Sequence, residues 1–199
     1  MSTPDTADTA HPRFAAALRE LGLDVEVRSF PEATRTAAEA AAAVGCELSQ
    51  IVKSLIFEAD GQPVLVLLDG ASRVDVERVR AELAGAGPDG PTDGGPVTGA
   101  ADDDGSGSAP GDASGGGAGG AKVRRASAEL VRETTGYAIG GVPPFGHRTR
   151  TRVLADRGLL AHRTVWAAAG TPHSVFALAP ESLIAHSGAT LADVREVTA

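Results

Sequence analysis

Lysine is scarce in this chain: 16 arginines stand against two lysines, Lys53 and Lys122. Arginine serves wherever a bare positive charge suffices, so the position of Lys53 carries information. It lies within QIVKSLIF, where strand alternation puts it on one face with Ile51, Leu55 and Phe57, all apolar. A lysine so placed either snorkels its ammonium out at a sheet edge or points it into a partly dry pocket. In a pocket it would favour developing negative charge, or act as a base if its pKa were depressed. A second candidate is the run GGVPPFG at 140–146. Its paired glycines allow close approach of backbone to a ligand, and its two prolines stiffen the second half of the loop. The N–H groups of Gly140, Gly141 and Val142 would then be preorganised donors to a carbonyl or oxyanion. A plain tight turn accounts for the same composition.

Other chemistries lose their support. The chain has no G-x-S-x-G elbow, no H-E-x-x-H, no G-x-x-x-x-G-K and no H-x-E with a paired C-x-x-C. Conventional serine hydrolases, zinc hydrolases, P-loop enzymes and zinc deaminases are thereby disfavoured. His11, His147, His162, His173 and His186 are scattered, without metal-ligand spacing. Cys46 is the only cysteine, so neither an intrachain disulfide nor a thiolate zinc site can form. Gly115, Gly117 and Gly120 fall at G-x-G-x-x-G spacing, but no strand precedes them and the match is compositional.

The elements that must position Lys53 and the glycine loop are legible from pattern. Phe14, Leu18 and Leu21 predict a helix over 11–22, and the alternation around Val25 and Val27 predicts a strand over 24–30. Thr36 and Glu39 form a capping box opening an alanine-rich helix that stops at Gly45. Asp60-Gly61 marks a hairpin between strands 51–57 and 63–68. A helix follows at 75–84, striped by Val76, Val79 and Leu83, and another at 127–135 ends on Gly136. Strands are expected at 137–139, 150–155, 164–168, 174–178 and 194–197, with a helix at 180–187 that has proline at its first position. Helices among hairpin-spaced strands predict a single α+β domain with a mixed sheet.

Residues 85–121 interrupt this pattern with 14 glycines, six aspartates and no basic residue. Such a segment buries too little apolar surface to offset its ordering entropy, and it is expected to be a disordered insertion. The remainder suffices for one core, so the domain is expected over 11–199, after a flexible tail at 1–10. Deleting 87–119 should therefore change the melting temperature little, because long surface loops add only a small closure entropy. A large loss in a thermal melt would show that the segment packs.

The six aspartates account for most of the net charge of −8, and a general duplex-binding protein would be basic. Locally, residues 122–163 hold nine Lys or Arg against three acids. That stretch suits a small anionic target such as a nucleotide or an RNA end, or else a solvated face. The start, MSTPDTADTA, is polar and acidic and unlike a signal peptide, and no apolar run approaches membrane length. A cytoplasmic protein is expected, with no membrane partner.

The segments RTAAEAAAAVG, QIVKSLIF, VLVLLDG, TGYAIGGVPPFGH and VWAAAGTPHSVFALAPESL occur in this order. Together they resemble the YbaK/prolyl-tRNA synthetase-associated domain family of aminoacyl-tRNA editing domains, over about 12–197 without the insertion. The resemblance implies a curved mixed sheet surrounded by helices, and a free-standing factor that hydrolyses the ester of mischarged tRNA in trans. It implies the aminoacyl-tRNA acceptor end as partner, with a synthetase as a possible second one, and neither metal nor cofactor. The family's lysine falls on Lys53. Its loop that holds the tRNA 3′-end through backbone contacts falls on Gly140, Gly141, Val142, Pro143 and Pro144.

Cysteine-editing branches of the family carry polar side chains after the W-x-x-x-G segment. Here Ala168, Ala169 and Val175 are small or apolar, and His173 is the polar exception. His173 is thus either a contact to the substrate amino group or a surface histidine, and alanine, serine, threonine or a small non-protein amino acid remain open as substrates. An activated ester needs no serine nucleophile: binding the adenosine end, holding a water and stabilising the oxyanion suffice. The alternative function is a binding module that grips a tRNA 3′-end, nucleotide or synthetase without hydrolysis, and it would not need Lys53.

Overall fold

The computed structural model describes residues 10–34, 36–85 and 121–197. In chain order the first elements are α1 (Pro12–Glu20), β1 (Val27–Ser29), α2 (Ala37–Val44), β2 (Val52–Ala59), β3 (Gln62–Asp69) and α3 (Val76–Gly85). After these come β4 (Val123–Arg125), α4 (Ala128–Thr135), β5 (Arg152–Asp156), β6 (Val165–Ala168), β7 (Ser174–Leu178), α5 (Pro180–Ser187) and β8 (Thr190–Ala192). Short 3-10 turns sit at Leu48–Gln50 and Arg157–Ala161.

The strands form a five-stranded sheet, ordered β4-β2-β3-β5-β8, and a three-stranded sheet, ordered β1-β7-β6. β3–β5 and β5–β8 are parallel and the remaining pairs antiparallel, which makes the larger sheet mixed. A parallel bridge between Ile51 and Trp166 ties the two sheets together. The α+β mixed-sheet architecture expected from the sequence is the observed one.

The β2–β3 hairpin turns on Asp60 and Gly61, both at positive φ (47° and 81°), as a two-residue turn requires. One face of the hairpin (Val52, Ile56, Leu65, Leu67) packs against Phe14, Tyr137, Phe145 and Phe176. The other (Phe57, Val64, Val66, Leu68) packs against Val79 of α3. Burial on both faces explains why 64–68 is continuously apolar and does not alternate. The capping box of α2 is present, with Glu39 N–H donating to Thr36 Oγ1 at 3.1 Å and Thr36 N–H to Glu39 Oε2 at 3.2 Å.

Several expectations are corrected. The strand expected at 24–30 narrows to Val27–Ser29, because pairing with β7 covers only those residues. Residues 137–139 are not a strand: Tyr137 N–H donates to Thr135 Oγ1, and Gly141 N–H closes a turn on Ala138 O at 3.0 Å. The last strand lies at Thr190–Ala192 and not at 194–197, where Arg195 makes only an isolated bridge to Val74. β4 has no counterpart among the strands expected from sequence. Of the tail expected at 1–10 only Ala10 is described, and it is buried in the core. Almost all of the expected insertion, 86–120, lies outside the described residues.

Candidate active site

Along its length β2 pairs with β3, but on its other side β4 reaches only Phe57, Glu58 and Ala59. The Ile51–Trp166 bridge closes the far end. Ala126 N–H adds one bond to Ile56 O at 3.1 Å; short of it the edge of β2 is open, and residues of both parities from 51 to 56 line a cavity of about 270 Å³. Its lining also includes the loop after α4 (Ile139, Gly140, Val142), Thr171 ahead of β7, and Ser174 and Val175 at the start of β7. Ala37 and Ala40 of α2, with Trp166 and Ala168 of β6, give it an apolar end. The Arg28 guanidinium stacks over Trp166 at 4.6 Å from the ring centre, which fixes the indole from behind.

Lys53 lines this cavity and is half-buried. Its ammonium donates to Gly70 O at 3.1 Å and to Ser72 O. Burial pushes its pKa below the ordinary lysine value; Asp69 opposes that drop, while Arg125 and Arg73 add to it. An ammonium has three N–H donors, so two carbonyls leave one for another acceptor.

The glycine loop is held from several sides. Tyr137 Oη donates to Gly146 O at 2.9 Å, and His147 Nε2 lies 2.8 Å from Pro143 O. A carbonyl only accepts, so Nε2 carries the proton; burial lowers the pKa of His147 and favours its neutral form. The Phe145 ring sits 5.4 Å from Phe14 and 5.7 Å from Phe176. Gly140 has φ +88°, a turn conformation that favours glycine. The N–H groups of Gly140 and Val142 have no acceptor among the described residues, whereas that of Gly141 is engaged by Ala138 O.

Of the residues singled out from sequence, Lys53, Gly140 and Val142 line one cavity. Gly141, Pro143 and Pro144 are buried beside it and do not line it. Gly141 makes its close approach to protein, since a Cβ there would sit 2.9 Å from the Thr171 backbone. His173 is exposed and outside the cavity. Its contacts run through its backbone: its carbonyl accepts from Phe30 N–H at 2.8 Å, and its N–H donates to Thr171 Oγ1 at 3.2 Å.

Two lining residues escape the sequence pattern. Ser54 Oγ is buried without a hydrogen-bond partner among the described residues, a costly state unless a ligand satisfies it. It follows Lys53 on the opposite strand face, so the alternation that selects Lys53 passes over it. Arg125 lines the cavity from the end of β4, an element the sequence does not reveal. Among the described residues no three His, Cys, Asp or Glu side chains gather as a metal site requires. No described helix is long and apolar enough to cross a membrane.

The model of the aminoacyl-tRNA editing domain matches residues 31–88 and 117–185, which contain both Lys53 and the 140–142 loop. The chain belongs to the aminoacyl-tRNA editing domain family. A solved structure of a proposed trans-editing enzyme for prolyl tRNA synthetase is 36% identical, with a TM-score of 0.72, covering 94% of this chain and 96% of that one. The structure of hypothetical protein APE2540 is 29% identical, with a TM-score of 0.69, covering 92% and 99%. The uncharacterized protein YwhH of Bacillus subtilis (strain 168) is 28% identical over 159 residues, 79% of this chain and 78% of its own length. The cavity on β2 is therefore the candidate active site of an editing domain.

Proposed function

We propose that this editing domain is a free-standing deacylase that hydrolyses the ester between a mischarged amino acid and the 3′-terminal adenosine of tRNA. The observation that carries the reading is the shared cavity, lined by Lys53 together with Gly140 and Val142, whose N–H groups are unengaged among the described residues. Those two N–H groups are suited to the ester carbonyl oxygen as it becomes an oxyanion. The third N–H of Lys53 serves the ribose or terminal phosphate and offsets the same developing charge. Ser54 Oγ, buried on the cavity wall, is suited to hold the attacking water. Water adds to the carbonyl carbon, the bond to the ribose oxygen breaks, and the products are a free amino acid and a ribose hydroxyl. The apolar end formed by Ala37, Ala40, Trp166 and Ala168 suits a small side chain. Release of free amino acid from purified mischarged tRNA, with a Lys53 variant as control, tests the reading.

The basic stretch divides by partner. Arg124 pairs with Glu58 at 2.8 Å, and Arg152 donates to the Leu83 and Glu82 carbonyls at the end of α3. Arg148 and Arg150 are exposed and suited to the phosphates of the acceptor end. Replacing both by alanine should raise KM for aminoacyl-tRNA at physiological salt and flatten its salt dependence, while sparing the rate at saturation. Unchanged affinity would make them part of a solvated face.

A further inference from the structure

We propose that Asp69, at the end of β3, is a positioning residue for Lys53: it folds the adjoining loop into the carbonyl cradle that holds the ammonium at the end of the hairpin. The proposal rests on the deacylase reading, in which Lys53 faces the substrate. Asp69 is 4% exposed, a costly place for a carboxylate that lacks partners. Its Oδ1 accepts from two successive backbone donors, Ala71 N–H and Ser72 N–H, each at 2.9 Å. This Asx-type turn fixes the peptides of residues 70–72. The two carbonyls of that loop, Gly70 O and Ser72 O, are the ones that accept from Lys53 Nζ.

The loop is also held from behind. A Cβ on Gly70 would lie 2.3 Å from Leu48 O, so the loop packs directly on the 3-10 turn at Leu48–Gln50. The strand register sets Lys53 opposite Leu68 and Val52 opposite Asp69, which brings loop and lysine to one end of the hairpin. Asp69 therefore acts on Lys53 twice: through the carbonyls its turn orients, and through its own negative charge. The second action matters because burial, Arg73 and Arg125 all push the ammonium towards its neutral form, and Asp69 opposes them.

The scarcity of lysine makes the test direct. With lysine-selective ¹³C and ¹⁵N labels, only Lys53 and Lys122 give side-chain signals, and Lys53→Arg assigns them. Asp69→Asn keeps an oxygen acceptor for the turn but removes the charge. The Lys53 titration should then move down, because the one charge that opposes its neutralisation is gone. The alkaline fall in the deacylation rate should move with it. Asp69→Ala, which also loses the turn, should slow deacylation at least tenfold at neutral pH.

In the wild type, the Lys53 ammonium protons should exchange with water much more slowly than those of Lys122, a measurement that needs no variant to fold. Equal exchange of both lysines, or an unmoved Lys53 titration in folded Asp69→Asn, would overturn the proposal. A shifted titration in a protein that deacylates nothing would uphold the placement of Lys53 by Asp69 and overturn the deacylase reading instead.

Discussion

Lys53→Ala is expected to slow single-turnover deacylation by roughly a hundred- to a thousandfold, about 2.7–4 kcal/mol, the cost of losing one transition-state contact in a preorganised site. The loss should fall on the chemical step more than on KM, because the phosphate contacts proposed for Arg148 and Arg150 would still hold the tRNA. Stability should change little. The side chain is half-buried, and the carbonyls of Gly70 and Ser72 remain tied to a turn that Asp69 holds independently. Lys53→Arg should rescue poorly: the guanidinium is planar and bulky, and cannot reproduce a compact ammonium donating to two carbonyls with one N–H left over. A thermal melt run beside the kinetics separates the two effects. Full deacylation by well-folded Lys53→Ala would remove Lys53 from the mechanism.

Gly141→Val should produce the other large loss, for a reason that differs from the sequence-based one. The sequence suggests that Gly141 lets a ligand approach the backbone. In the structure its open side faces the Thr171 backbone, where a Cβ would meet main-chain atoms at 2.9 Å. Main chain cannot rotate away as a flexible side chain does, so the 140–142 loop and the 171–174 segment must separate. Both line the cavity, and the donors at Gly140 and Val142 would move with their loop. Overpacking of this kind costs about 1–3 kcal/mol of stability, which a melt would read as a modest drop. Loss of the oxyanion alignment should cost roughly a hundredfold or more in rate. Gly141→Ala should fall between. Wild-type rates in Gly141→Val would show that the loop does not set the reacting geometry.

The parts of this molecule governed by local rules are legible in sequence. The Thr36–Glu39 box, the Asp60-Gly61 turn and the glycine stops at Gly45 and Gly136 depend on neighbours a few residues away, and each stands as expected. Where tertiary partners decide, pattern misleads. Tyr137 and Ile139 have strand-forming side chains, yet Thr135 and the Ala138–Gly141 turn take their backbone. Val194 looks like part of a final strand, but its N–H donates to buried Asp156 at 3.1 Å. Lys53 is visible because it breaks an apolar strand. Asp69 is not, because its significance depends on a loop geometry that no periodicity encodes. His173 is exposed just ahead of β7 and does not line the cavity, a placement that tertiary packing decides and no periodicity encodes.

The most direct test of the central claim is a deacylation screen of the purified full chain over a panel of mischarged and correctly charged tRNAs, with Lys53→Ala assayed in parallel. At least one tRNA carrying a small wrong amino acid is expected to lose it far faster than by spontaneous hydrolysis. Correctly charged tRNAs should persist, and Lys53→Ala should be close to the uncatalysed rate. Spontaneous rates across the whole panel, from folded protein that still binds the acceptor end, would contradict the deacylase reading and leave a module that grips the tRNA end without cutting the ester.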